Sequence, residues 1–321
     1  MAPPLLDDFP APNEKADLFR AYVTITQILG DITECCLRKS LTHKRRLEFE
    51  NALFRWMKQF PQALRFHVSP LPGTSPPYFS ESRQLIVAYF AILIILYRSP
   101  TPLSPPSAAS LVASSFIAKI FEELLARDEL RHLGPVFAFY ALCAGLSQLP
   151  AYRYPSLRST AEYETTIIKL SLQELSKQWA SSFGALYALN KVREEILQQS
   201  DFDGPLPTVS SDVTSFFDDF SPELCRYWSL VTGQNRPSEP AEARDDQDHP
   251  TVNTANRLST PGLQGPSGTN ASMAEGIDPS FSMYYDQILA AVSPSMDFLG
   301  AGWDGSGFDW SGSWLLSDWE N

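Results

Sequence analysis

Residues 85–97 read LIVAYFAILIILY, thirteen consecutive positions without a charge, held between Arg83 and Arg98. A helix that crosses a bilayer needs roughly 20 such residues, so this run is predicted to be a helix buried inside a globular domain, with no membrane partner. Its flanks extend the same pattern. From Asn13 to Gln199 apolar residues return every three or four positions, interrupted at Pro and Ser clusters, and no alternating strand pattern persists. The expected fold class is all-α, an irregular domain of six to seven helices over Glu14–Arg38, Thr42–Phe60, Ser80–Arg98, Ser107–Asp128, Leu130–Leu149 and Ser159–Gln199. The last is long enough to be bent or split, with Gly184 as the expected place.

Local chemistry supports several of these limits. Ser159 and Glu162 have capping-box spacing, in which the Ser oxygen and the Glu carboxylate each satisfy a free N–H of the first turn. Pro100, Pro102, Pro105 and Pro106 end one helix before Ser107 caps the next. Past Gln199 the periodicity weakens, although Ser221-Pro222-Glu223 suits the start of a short helix ending near Trp228. From Gln234 to Glu275 the chain is rich in Pro, Ser, Thr, Asn and Gly, a composition that offsets little ordering entropy by burial. The expected organisation is therefore an extended segment over 1–12, a helical domain over 13–232, a disordered linker over 233–276 and a tail over 277–321. Within the tail, Phe281, Tyr284, Tyr285, Ile288, Leu289 and Val292 share one face of a short amphipathic helix, placed to meet a partner or to return to its own domain.

Charge sets the tail apart. The chain has 25 Lys and Arg against 37 Asp and Glu; the part after Arg236 holds 2 against 13, leaving the body nearly neutral at 23 against 24. The last 64 residues contain no Lys, Arg or His, yet carry eight carboxylates and four of the seven tryptophans. Acid of this density keeps aromatic side chains in water and available for contact. Phe298, Trp303, Phe308, Trp310, Trp314, Leu315, Leu316 and Trp319 are the candidate partner-binding residues, with Asp297, Asp304, Asp309, Asp318 and Glu320 steering them towards basic rims. The alternative is that these tryptophans strap onto the helical domain. A neutral body is a poor binder of phosphate backbones, so no direct DNA binding is expected from this chain.

The remaining chemistry is sparse. The four cysteines lack Cys-x-x-Cys spacing and the first residues lack a signal-peptide pattern, which points to a reducing compartment and makes the Asn270-Ala271-Ser272 sequon a chance match. Gly300-x-Gly302-x-x-Gly305 imitates a dinucleotide fingerprint without the strand and helix that give it meaning. Asp218-Asp219 with Glu223 superficially resembles a metal–diphosphate motif, but no second acidic motif faces it. His43, His67, His132 and His249 are scattered, and adjacent Cys35 and Cys36 read first as packing residues. No catalytic residue, metal or cofactor is expected. Arg38, Lys39, Lys44, Arg45 and Arg46 form a candidate nuclear-import or anion-binding patch, set against an ordinary solvated surface.

Three stretches of the helical block resemble the regulatory "middle homology" domain of fungal zinc-cluster transcription factors. Leu53-Phe-Arg-Trp56-Met-Lys-Gln-Phe60-Pro61-Gln-Ala-Leu64 is similar to that family's L-x-x-W-x-x-x-L-P-x-x-L segment, with Phe60 in place of Leu. Tyr89 to Pro100 looks like its apolar helix ending in L-x-R-P, with Ser99 inserted, and Leu172 to Leu186, with Leu175, Trp179 and Ala180, resembles its later L-x-x-x-W helix. The opening Pro3-Pro4-Leu5-Leu6-Asp7-Asp8-Phe9 looks like a proline and acid segment of the same domain. The resemblance spans about residues 3–200 and implies a nuclear regulator of RNA polymerase II transcription that contacts coactivators or the transcription machinery, with dimerisation with a related factor as a further implication. The family's six zinc-binding cysteines have no counterpart here, so zinc and sequence-specific DNA binding are carried over to no residue, and a truncated product and a stand-alone regulator stay open. The rival class is an all-α small-molecule-binding protein or enzyme, with Phe137, Phe139, Tyr140 and Cys143 around an internal pocket.

Overall fold

A computed structural model describes residues 14–61, 64–65, 78–99, 104–202 and 204–233. Among these residues the chain forms nine α-helices and no strand: α1 (Glu14–Leu37), α2 (His43–Gln59), α3 (Ser80–Tyr97), α4 (Ala108–Ala126), α5 (Val136–Gln148), α6 (Pro155–Ser176), α7 (Ala180–Leu197) and the single turns α8 (Ser211–Thr214) and α9 (Ser229–Thr232). Short 3₁₀ turns lie at Leu130–His132, Leu149–Arg153 and Pro222–Leu224. The all-α class stands.

The apolar stretch is the inner part of α3, and every residue from Leu85 to Leu96 is buried. With 18 residues, α3 has the length and composition to cross a membrane, but it is the core helix of this domain, packed against α4, α1 and α5. Burial on all sides explains the absence of a polar face. Arg83 stands at its edge, bonded to Glu123 at 2.7 Å and stacked 3.9 Å from the Tyr78 ring centroid. Behind α3, helices α4, α5, α6 and α7 follow one another as packed neighbours. Gly145 allows a close approach: a Cβ there would lie 2.8 Å from Leu189 Cδ2 and 3.2 Å from Ile168 Cγ2, so α5 sits directly against α7 and α6.

Four local expectations change. The 130–149 segment is interrupted at Gly134-Pro135, because proline removes an N–H and disfavours helical backbone in the residue before it. Helix α6 starts at Pro155, in the first helical position, so Ser159 and Glu162 lie inside it and form no capping box; Glu162 accepts from Arg193 at 2.7 Å instead. The 159–199 segment breaks at Trp179, not Gly184, since Trp179 has extended backbone and its indole N–H is drawn 2.8 Å from the Leu133 carbonyl. The turn capped by Ser221 stops at Leu224, short of Trp228. The Ser107 cap does form, accepting from the Ser110 N–H at 3.4 Å.

Residues 209–233 close the core from outside. Phe90 of α3 and Phe116 of α4 stack with centroids 4.6 Å apart, and Phe220 packs over both at 4.8 and 5.3 Å. The Tyr89 hydroxyl donates to the Phe216 carbonyl at 2.8 Å, and the Val209 N–H to the Leu230 carbonyl at 3.0 Å. These polar bonds fix the register of a segment held mainly by aromatic burial.

Candidate functional site

Helix α6 buries Leu157, Ala161, Glu164, Ile168, Leu172 and Leu175 at helical spacing, which puts a carboxylate in a core position. Opposite it, α4 buries Ser114 and Ser115, and α5 ends on buried Gln148. The Ser115 hydroxyl donates to Glu164 Oε1 at 2.5 Å, and the Gln148 amide donates to Glu164 Oε2 at 2.5 Å and to Ser114 Oγ at 2.7 Å. Residues 225–227 complete the cluster. Tyr227 donates its hydroxyl to Gln148 Oε1 at 2.9 Å, the Arg226 N–H donates to Ser115 Oγ at 2.9 Å, and Cys225 Sγ lies 3.8 Å from the Val112 carbonyl.

The electrostatics follow from burial. Loss of water pushes the Glu164 carboxyl up to about 7, against the pull of Ser115, the Arg226 charge and Gln148. The Arg226 guanidinium is 3.9 Å away from Glu164 and divides its attention with Glu122 at 3.4 Å. Burial alone would raise Glu122, but hydrogen bonds from Lys119 and Tyr163 with the Lys119 and Arg226 charges outweigh it and hold Glu122 down at about 2. Desolvation raises the Tyr227 hydroxyl well above its ordinary value and the Cys225 thiol to about 12, so neither ionises near neutrality. The cluster can hold or lose one proton around neutral pH while tying residues 225–227 to three helices.

Sequence reasoning passed over Glu164, Gln148, Ser115, Arg226 and Tyr227. The available signal was polar side chains at core positions of apolar helices, above all Glu164 within the Leu157-to-Leu175 series.

Two members of the basic patch are held in exposed ion pairs. Arg38 pairs with Glu34 at 2.6 Å and Arg45 with Glu48 at 3.5 Å, while Lys44 is exposed. Arg46 turns inward, 3.0 Å from Glu50 and 4.4 Å from the Tyr97 ring centroid, and Tyr97 bonds the same carboxylate at 2.8 Å. Lys39 takes a left-handed conformation, φ 50°, as α1 ends. Asp219 of the acidic pair is bound to Lys58 at 3.0 Å and Arg65 at 3.4 Å. Among the described residues no group of three or more His, Cys, Asp or Glu is gathered as metal ligands.

Phe137, Phe139, Tyr140 and Cys143 are all buried in α5, with Tyr140 5.3 Å from Phe137 and 5.9 Å from Phe139 between ring centroids. They pack as core. Cys35 and Cys36 are half-buried against it. Leu53, Trp56, Phe60 and Leu64 are likewise buried, and the Trp56 indole N–H donates to the Ala21 carbonyl of α1 at 2.8 Å. The aromatic tail residues from Phe298 to Trp319, the Phe281-to-Val292 face, the glycine fingerprint, His67 and His249 lie outside the described residues.

The most exposed large apolar side chains among the described residues are Phe183, 70% exposed, and Tyr187, 66% exposed, one turn apart on α7. Comparison of the chain with protein-family models, with curated proteins and with solved structures finds no match.

Proposed function

We propose that this chain is a regulator of RNA polymerase II transcription, of the kind its helical block resembles, working in the nucleus through protein contacts and not through catalysis. The helical domain acts as a platform, and residues 277–321 act as an activation segment whose aromatic side chains enter shallow, basic-rimmed apolar grooves on a coactivator or the transcription machinery. One observation carries this reading: four tryptophans and eight carboxylates share a 64-residue stretch without a single cationic side chain, joined to a nearly neutral body. Trp56 is buried and the half-buried Trp179 is bonded to the Leu133 carbonyl, which supports reading the helical block as scaffold, and the pairing of half-buried Arg46 with Glu50 leaves Arg38, Lys39, Lys44 and Arg45 as the exposed part of any import signal.

The test is to fuse residues 276–321 to an unrelated DNA-binding domain and measure a reporter. Activation is expected from the intact fusion, with a drop to background when Trp310, Trp314 and Trp319 are changed to Ala. Silence from the intact fusion at normal expression contradicts the reading.

A further inference from the structure

Residues 225–227 form the outer wall of the Glu164 cluster. The carboxyl is fully buried, whereas the Arg226 side chain beside it is 35% exposed, so the way to water runs along Arg226. Ser115 decides how firmly this wall is held, because its hydroxyl has one proton and two lone pairs to share. It accepts from the Arg226 N–H at 2.9 Å, lies 2.5 Å from Glu164 Oε1 and is within hydrogen-bonding reach of the Cys225 side chain. Glu164 Oε2 faces the Gln148 amide, itself a donor, so a proton on the carboxyl belongs on Oε1. A neutral Glu164 therefore donates to Ser115 Oγ, fills its second acceptor site and turns the Ser115 proton towards the Cys225 sulfur. A charged Glu164 takes that proton for itself, and Cys225 loses its donor.

The charged carboxylate also lacks a full counter-charge. Arg226 stands 3.9 Å from it and is held closer, at 3.4 Å, by Glu122 on α4, whose other cation, Lys119, is bonded to it at 2.8 Å. Gln148 on α5 and Ser114 on α4 are neutral, and burial keeps Cys225, Tyr227 and Tyr152, of the Leu149–Arg153 turn, protonated. We propose that residues 225–227 are a proton-operated latch, closed on α4 and α5 while Glu164 is neutral and detaching more often, with α1–α7 still folded, once Glu164 is charged. Detachment returns water to the carboxylate, which is the driving force. The closed form holds the proton more tightly than the open one, so opening grows as pH rises from 4.5 and levels off above about 7. Phe217 and Phe220 remain packed on α3 and α4 next to the latch, which confines the motion to the last stretch before residue 233. The device uses only described residues and stands independently of the activation reading.

Two buried thiols test it, Cys225 in the latch and Cys143 in α5. The full chain is labelled with methyl methanethiosulfonate from pH 5.5 to pH 8, each site is followed by peptide mass, and each rate is divided by that of a free thiol at the same pH. The corrected Cys225 rate should rise on the order of 30-fold over this range and exceed the Cys143 rate at every pH. Glu164→Gln, which donates to Ser115 as the neutral acid does, should make the Cys225 rate flat. Tyr227→Phe, which loses the bond to Gln148, should raise it several-fold at every pH and keep the parent's slope. Equal rates at Cys225 and Cys143 overturn the proposal, since the thiol would then be reached only by unfolding of the whole domain. A flat profile in the parent, or a parent-like slope in Glu164→Gln, overturns it as well; if that variant does not fold, the parent and Tyr227→Phe profiles decide.

Discussion

Glu164 shows how much one misplaced-looking residue settles. Its folded-state proton affinity is raised to about 7 from the ordinary 4.5, so the folded protein holds that proton more tightly than the unfolded chain. The associated stability is fully present below pH 4.5 and is lost as pH rises through 7. Glu164→Gln keeps the shape, accepting from Gln148 and donating to Ser115, without the titration. Urea denaturation of both proteins from pH 5 to pH 8 should show the variant gaining on the parent as pH rises, by on the order of 3 kcal/mol in total. A pH-independent difference would contradict the buried-carboxylate account. Lys39 makes a second residue-scale prediction. It takes the left-handed position where glycine is favoured, so Lys39→Gly should stabilise the domain by up to about 1 kcal/mol in the same assay. Glu164 was legible in the sequence only as an acid at a core position of α6, whereas its partners in α4, α5 and 225–227 are brought together by the fold and leave no local spacing to read.

At the scale of elements, α3 was the most legible piece, because Leu85–Leu96 excludes charge along its whole length and is bracketed by Arg83 and Arg98. Boundaries set by distant contacts were not legible. The α6–α7 break depends on Trp179 meeting Leu133, 46 positions away, which no window around Gly184 can reveal. Pro155 displaced the capping-box reading of Ser159 because a first-position proline begins a helix without needing a side-chain cap. The role of 209–233 was equally hidden, since its periodicity is weak and its stabilisation comes from Phe217 and Phe220 in the α3–α4 aromatic cluster and from Phe216 against Phe54 and Tyr97. Phe220→Ala should therefore cost about 3–5 kcal/mol, seen as a lower urea midpoint with an unchanged slope. Gly145→Val should cost about 2–3 kcal/mol, because its side chain would displace Leu189 and Ile168 at the α5–α6–α7 contact. A cost below 1 kcal/mol would show that α5 moves aside freely.

At the scale of the whole molecule, the chain divides its apolar surface by purpose. Among the described residues the helical body buries much of its aromatic surface, Trp56 and Tyr89 included, while the acidic stretch after Arg257 concentrates tryptophan with carboxylates. All-α architecture was readable from periodicity, and the proposed function rests on the contrast between a neutral body and an acidic aromatic segment. The most direct measurement is to tether the full chain to DNA through an unrelated binding domain and compare reporter output with that of a variant in which Trp303, Trp310, Trp314 and Trp319 are alanine. The account predicts activation by the intact chain and its loss in the variant at equal expression and with the same thermal unfolding of the helical domain. Equal output from the two would contradict it.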